Sequence, residues 1–170
     1  MHIVLYEPEI PQNTGNIART CAATGAVLHL IKPLGFELSD KYLKRAGLDY
    51  WHLMRYTVHE DWQSFLAEWP DARLWFLSTK ARRSYAEPRY GEDDFLVFGP
   101  ETRGLPEDML AAHYDRSVRI PMRAEARSLN LSNSVAIVLF EALRQQGFPG
   151  LMGEGSLTRA DPPGDWRDYV

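Results

Sequence analysis

Cysteine is almost missing from this chain: Cys21 is the only one among 170 residues, so no intramolecular disulfide forms and nothing marks an oxidising compartment. Long apolar runs are missing too. None approaches the ~18 residues of a membrane-spanning helix, and the opening MHIVLYEPEIP has neither a basic n-region nor a cleavage site. A cytoplasmic protein that does not engage a membrane is expected. The metal spacings H-E-x-x-H and C-x-x-C do not occur, and His2, His29, His52, His59 and His113 are scattered, so no metal is expected. Neither G-x-G-x-x-G nor G-x-x-x-x-G-K-[ST] is present, and no G-x-S-x-G elbow supports a serine hydrolase. A basic surplus is the last absence. The 19 Lys plus Arg face 23 Asp plus Glu, a formal net charge of −4, which on bulk charge argues against nucleic acid. The bases are nevertheless grouped: Lys41, Lys44 and Arg45; Lys80, Arg82 and Arg83; Arg103; and Arg119, Arg123 and Arg127. Local potential rather than net charge steers a polyanion, so RNA stays open as a partner.

What is present reads as one globular domain with 45% hydrophobic and 25% charged residues. Short apolar runs at Ile3–Tyr6, Val27–Ile31, Leu74–Leu77, Phe95–Phe98 and Ser117–Ile120 suit strands buried on both faces, and Arg55–Val58 is a weaker candidate. Helical patterns lie between them. The first covers Thr14–Thr24, with Asn13 or Thr14 as N-cap and Gly25 as the stop. Others cover Asp40–Ala46, Asp61–Glu68, Pro106–Ala112 and Asn130–Gln146, the last followed by Gly147. Alternating strands and helices predict an α/β fold, a mostly parallel sheet with helices on both faces. Residues 1–148 form the expected domain. Residues 149–170, with four Gly and three Pro, form a mobile or surface-lying tail.

Three loops that follow strands are unusual. Pro8–Arg19 places Asn13, Gly15, Asn16 and Arg19 near a helix start, which fits a plain capping turn as well as an anion site. Phe98–Pro106 sets Glu101-Thr102-Arg103 between Gly99-Pro100 and Gly104; this rigid turn lets backbone approach a ligand. Ile120–Ser134 carries Ser128, Asn130, Ser132 and Asn133 ahead of the longest helix, more hydrogen-bonding groups than a cap requires. Ligand sites of open α/β sheets lie at the carboxyl ends of strands, so the three loops are expected to converge there.

N-T-G-N-I-A-R, F-G-P-E-T-R-G-L-P and I-P-M-…-S-L-N-L-S-N-S-V-A resemble, in order, the three motifs of the SpoU/SPOUT RNA 2′-O-methyltransferases. The resemblance runs from Met1 to about Pro149. The opening IVLYEPEIPQNTGNIART and Lys44–Tyr50 are most similar to the subfamily acting on cytidine or uridine 34 of tRNA.

The resemblance implies a C-terminal deep trefoil knot whose loops hold S-adenosyl-L-methionine, contacted by Leu77, Gly99, Ile120 and Ser128. It implies Arg19 beside the attacking ribose, supported by Asn13, Glu101, Ser128 and Asn130. It also implies a homodimer that binds the tRNA anticodon loop and methylates the ribose of wobble nucleotide 34, in leucine isoacceptors. The rival expectations are 2′-O-methylation at another site, such as tRNA guanosine 18 or ribosomal RNA, and a non-catalytic RNA-binding dimer. Phe140 departs from the pattern: where some relatives carry Tyr, this chain has no hydroxyl.

Overall fold

The computed structural model describes residues 1–38 and 54–155. The helix expected over 40–46, the bases Lys41, Lys44 and Arg45, and the tail from residue 156 lie outside the described residues. Seven strands are described: β1 (His2–Tyr6), β2 (Val27–Ile31), β3 (Arg55–His59), β4 (Leu74–Leu77), β5 (Arg83–Ser84), β6 (Phe95–Phe98) and β7 (Ser117–Arg119). They form one sheet in the order β3-β2-β1-β6-β4-β7-β5, and every neighbouring pair is parallel. The described helices are α1 (Pro11–Thr24), α2 (Trp62–Glu68), α3 (Glu107–Ala112) and α4 (Leu131–Gln145).

The sheet is buried on both faces because its strands carry apolar residues at successive positions, and successive side chains point opposite ways. Ile3, Leu5, Leu28, Leu30, Trp75, Leu96 and Phe98 face α1 and α4, packing with Ile17, Cys21, Val135 and Leu139. Val4, Ile31, Leu74, Phe76, Phe95 and Val97 face the other way, against Phe65 of α2 and Leu110 of α3. Leu151 packs against the first of these cores, so the chain beyond α4 starts along the surface of the domain.

The first helix starts three residues earlier than the sequence suggests. Its N-cap is Ile10, not Asn13 or Thr14, and Pro11 opens it. A proline fits there because the first helical N–H has no partner within the helix in any case. Ile10 has no capping side chain, and no local pattern reveals what takes its place. The long helix lies within a residue of its expected bounds: Asn130, expected as its first residue, is its cap, with Oδ1 accepting from the N–H of Ser132 (2.9 Å) and Asn133 (3.3 Å), and Gly147 follows with φ 75°. The two-residue strand β5 is too short to leave a periodic signal.

Three of the scattered histidines come together. His2 Nδ1 lies 2.9 Å from His29 Nε2, His29 Nδ1 lies 3.0 Å from His59 Nε2, and His59 Nδ1 lies 3.2 Å from a Glu68 carboxylate oxygen. A carboxylate only accepts, so Glu68 assigns the Nδ1–H tautomer to His59, and the same tautomer follows for His29 and His2. Phe65, Trp69 and Phe95 pack around the row. Burial is the main cause that pushes the His2 imidazole down to about 4 and His29 to about 3, and it also lowers His59. The N-terminal ammonium and Arg55 push His2 further down, Asp93 opposes them, and Glu68 opposes the shift of His59.

The row therefore stays neutral in the folded protein while the same histidines of the unfolded chain take up protons below about 6.5. Its stabilising contribution is complete above that pH and is lost progressively as pH falls toward 4. Urea unfolding between pH 8 and pH 5 checks this. The midpoint is expected to hold steady down to the unfolded histidine pKa and then decline; a midpoint that ignores pH throughout would contradict it.

Candidate functional site

A pocket of about 550 Å³ opens at the carboxyl ends of β4, β6 and β7. Its walls come from Ile10 and Asn13, from the turn at Leu77–Lys80, from the loop between Phe98 and Leu105, and from Ile120 and the segment around Ser128–Leu131. The volume is that of a small-molecule or cofactor site, and the mixture of apolar walls with a few polar groups is typical of one. All three loops singled out in the sequence contribute.

A polar network ties the loops together. The Glu101 carboxylate accepts from the backbone N–H of Glu9 (2.8 Å) and Ile10 (3.2 Å) and from the Asn13 side chain (3.0 Å). It is the missing partner at the start of α1. Because the carboxylate only accepts, Asn13 must turn its NH₂ toward it, which leaves Asn13 Oδ1 to accept from Asn130 Nδ2 at 2.9 Å. Asn130 then presents its own oxygen to the amides at the start of α4. One carboxylate thus orients two amides in succession and joins the N-termini of the two helices that share a core.

Backbone fit closes the second loop. A Cβ added at Gly99 would lie 2.3 Å from Leu105 N and 2.4 Å from Gly104 C. Only glycine lets the strand end pass so close to the returning chain, and Gly104 makes the return with φ 69°. Gly104 N–H donates to Pro100 O at 2.9 Å, which holds the loop in that fold.

Of the residues singled out in the sequence, Asn13, Leu77, Gly99, Glu101, Ile120, Ser128 and Asn130 all line the pocket. Arg19 does not: it lies on an exposed part of α1. Sequence reasoning missed Ser78 and Thr79 as lining residues, because nothing in their local pattern separates them from an ordinary turn, and it gave Met122, inside the third loop, no role. It also gave no role to Glu7 and Glu9, which are bonded to the second loop. Lys80 pairs with Glu107, which lowers that carboxyl's pKa, and Arg103 pairs with Glu7. Among the described residues, no group of three or more His, Cys, Asp or Glu is placed to hold a metal, and no helix is long and apolar enough to cross a membrane.

The SpoU rRNA Methylase family matches residues 1–140. The tRNA (cytidine(34)-2′-O)-methyltransferase of Saccharophagus degradans is 54% identical over 150 residues, covering 88% of this chain and 97% of that protein. A solved structure described as giving structural insights into the 2-OH methylation of C/U34 on tRNA superposes with a TM-score of 0.81 at 50% identity, over 86% of this chain and 95% of that one. An AdoMet-bound rRNA methyltransferase from Sinorhizobium meliloti superposes with a TM-score of 0.74 at 26% identity, over 84% of this chain and 55% of that one.

The close approach at Gly99 yields a direct expectation. Gly99→Ala forces the Gly104–Leu105 backbone to move, at a cost of about 1–3 kcal/mol for an overpacked site. Urea unfolding measures that loss. A variant as stable as the parent would show that the loop is loose.

Proposed function

The chain belongs to the SpoU rRNA methylase family, and from that premise we propose that it transfers a methyl group from S-adenosyl-L-methionine to the ribose 2′-hydroxyl of nucleotide 34 in tRNA. The substrates are cytidine or modified uridine at the wobble position of leucine isoacceptors. The observation that carries this reading is the joining of three strand-end loops through Glu101, Asn13 and Asn130 around one pocket, in a chain half identical to a position-34 methyltransferase.

The pocket fits the cofactor by volume and by chemistry: Leu77, Leu105 and Ile120 offer apolar walls for a purine, and Ser128 and Asn130 offer hydrogen-bonding groups. We assign Leu77, Gly99, Ile120 and Ser128 to holding it. Bound there, S-adenosyl-L-methionine supplies a methyl group made electrophilic by its positively charged sulfur. What the chain adds is position, and ideal positioning is worth up to about 7–11 kcal/mol of a two-reactant barrier.

Arg19 is the residue we place beside the ribose. A guanidinium keeps its proton at ordinary pH and makes a poor general base. It therefore acts by fixing and polarising the hydroxyl, whose proton passes to a phosphate oxygen of the RNA. Asn13, Glu101, Ser128 and Asn130 hold the loops and the ribose in register. Arg19 lies outside the pocket lining of its own subunit, which supports a homodimer in which the two chains build each RNA site together. Ile137 and Phe140 on α4, with Ile10, Leu129 and Phe148, expose apolar surface for that contact. The knot belongs to the same reading. β7 lies between β4 and β5, so the chain leaving β7 starts from between two strands already joined through residues 78–82. Residues 1–148 are the catalytic unit, 149–170 are a tail, and the enzyme works in the cytoplasm with its tRNA.

Labelled S-adenosylmethionine with total tRNA, followed by mapping of the methylated nucleotide, tests the reading. Label at ribose 34 is expected; label confined to another position would replace the substrate, and no transfer to any RNA would favour a scaffold. Arg19→Ala is expected to lose single-turnover methylation while keeping donor binding, and unchanged turnover would remove Arg19 from the reaction. The described bases Lys80, Arg82, Arg103, Arg119, Arg123 and Arg127 provide phosphate contacts, so tRNA affinity is expected to fall steeply as salt rises. Affinity independent of salt would contradict a basic groove.

A further inference from the structure

We propose that Glu9 is a positioning residue for methyl transfer, closing a reciprocal carboxylate clasp between the loop before α1 and the loop after β6. The proposal rests on the function read above and adds to it a residue outside the pocket lining. One Glu9 carboxylate oxygen accepts from the Thr102 N–H at 3.0 Å and the other from the Thr102 hydroxyl at 2.8 Å. Arg103 Nη1 stands 3.8 Å from the same carboxylate, and Arg103 is also paired with Glu7. In the opposite direction, Glu101 accepts from the N–H of Glu9 and Ile10. Each loop therefore gives backbone N–H to a carboxylate of the other.

Either half alone is a hinge. With only the Glu101 bonds, the tip of the second loop can turn about the flexible Glu101 side chain and carry the Glu101 backbone with it. The Glu9 bonds grip Thr102, the next residue along, and two attachments at adjacent residues remove that rotation. The backbone of Glu9 is itself braced from behind. A Cβ at Gly35 would lie 2.7 Å from Glu9 Cα and from Glu9 O, so the turn after β2 packs flush against it, and Gly35 N–H donates to Pro8 O at 2.9 Å. Glu7 takes φ 49°, a left-handed conformation that a side-chain-bearing residue rarely adopts, to bring the chain into this position. A loop that merely connected β1 to α1 would need neither the tight turn nor the brace.

The clasp acts through Glu101. Its grip on Asn13, and that of Asn13 on Asn130, sets the relative placement of all three loops. Releasing Glu9 lets that set drift, and a misplacement of about 1 Å far from the chemistry can slow a reaction on the order of 100-fold.

Single-turnover methylation of tRNA by the full chain, with donor and tRNA affinities measured separately, tests this. Glu9→Ala is expected to slow methyl transfer about 10- to 100-fold while both affinities change less than about threefold, the signature of lost transition-state positioning. Glu9→Gln keeps an acceptor oxygen for Thr102 and is expected to recover part of the rate. Wild-type turnover in Glu9→Ala overturns the proposal, as does a loss of donor affinity that matches the loss of rate. If the parent protein methylates no tRNA, it is the functional reading that fails, and amide exchange judges the clasp on its own. Ile10 N–H, which is bonded to Glu101 and not to the Glu9 side chain, must then exchange faster in Glu9→Ala than in the parent. Equal exchange overturns the clasp.

Discussion

The geometry of the site depends on the Glu101 carboxylate sitting at the start of α1. That helix begins with Ile10 and Pro11, which offer no capping side chain. A local Asn or Ser cap is worth about 1 kcal/mol. Hydrogen bonds to a charged acceptor reach about 1.5–3 kcal/mol each, and Glu101 takes three donors at once. The stronger, long-range arrangement replaces the weaker local one, and in doing so it makes the helix start depend on a loop 91 residues away. A self-capped helix would fold regardless of where that loop lay. This one is completed only when the pocket wall is in place, so the stability of α1 and the shape of the site are one physical fact.

The same economy explains why the pocket loops can be polar and yet ordered. Fixing a residue's backbone costs about 1–2 kcal/mol of conformational entropy. Loops that bury little apolar surface must recover this from bonds, and the acceptors here are carboxylates and amides used to more than one partner. Glu9, Glu101 and Asn130 each accept at least two hydrogen bonds. The row of His2, His29 and His59, which crosses three neighbouring strands diagonally and ends on Glu68, applies the same rule within the sheet. A single anionic acceptor at one end sets the direction of every donor behind it.

What could be read from the sequence divides along the range of the interaction. Every strand but β5, and the extent of α4, were legible, because apolar runs and helical periodicity act on near neighbours. The three loops were legible as unusual, because glycine, proline and hydrogen-bonding residues crowd together in each. The start of α1 was misplaced because its partner comes from the loop after β6, 91 positions along the chain, and Asn13, read as a cap, lies inside the first helical turn and faces Glu101 instead. Glu7 and Glu9 were given no role, since their partners Thr102 and Arg103 lie more than 90 positions on. The histidines looked scattered for the same reason: the strand pairing that aligns them is not a property of any one segment.

Strand order is what turns these distant residues into a site. The pocket draws on the ends of β1, β6, β4 and β7, which are first, sixth, fourth and seventh in the chain but adjacent in the sheet. Neighbouring strands lie about 4.8 Å apart, so four of them deliver their loops across roughly 14 Å. That span matches a nucleoside with a short side chain, and a chain that laid its seven strands down in sequence order would spread the same loops over twice the distance. Because every strand runs parallel, all four loops also emerge at the same edge. Residues separated by more than 100 positions, such as Asn13 and Asn130, can then share a hydrogen bond. The net negative charge is compatible with this arrangement. A site assembled from loop ends needs its cations only at that edge, where Lys80, Arg103 and Arg127 line the pocket, and local potential rather than net charge decides what such a site attracts.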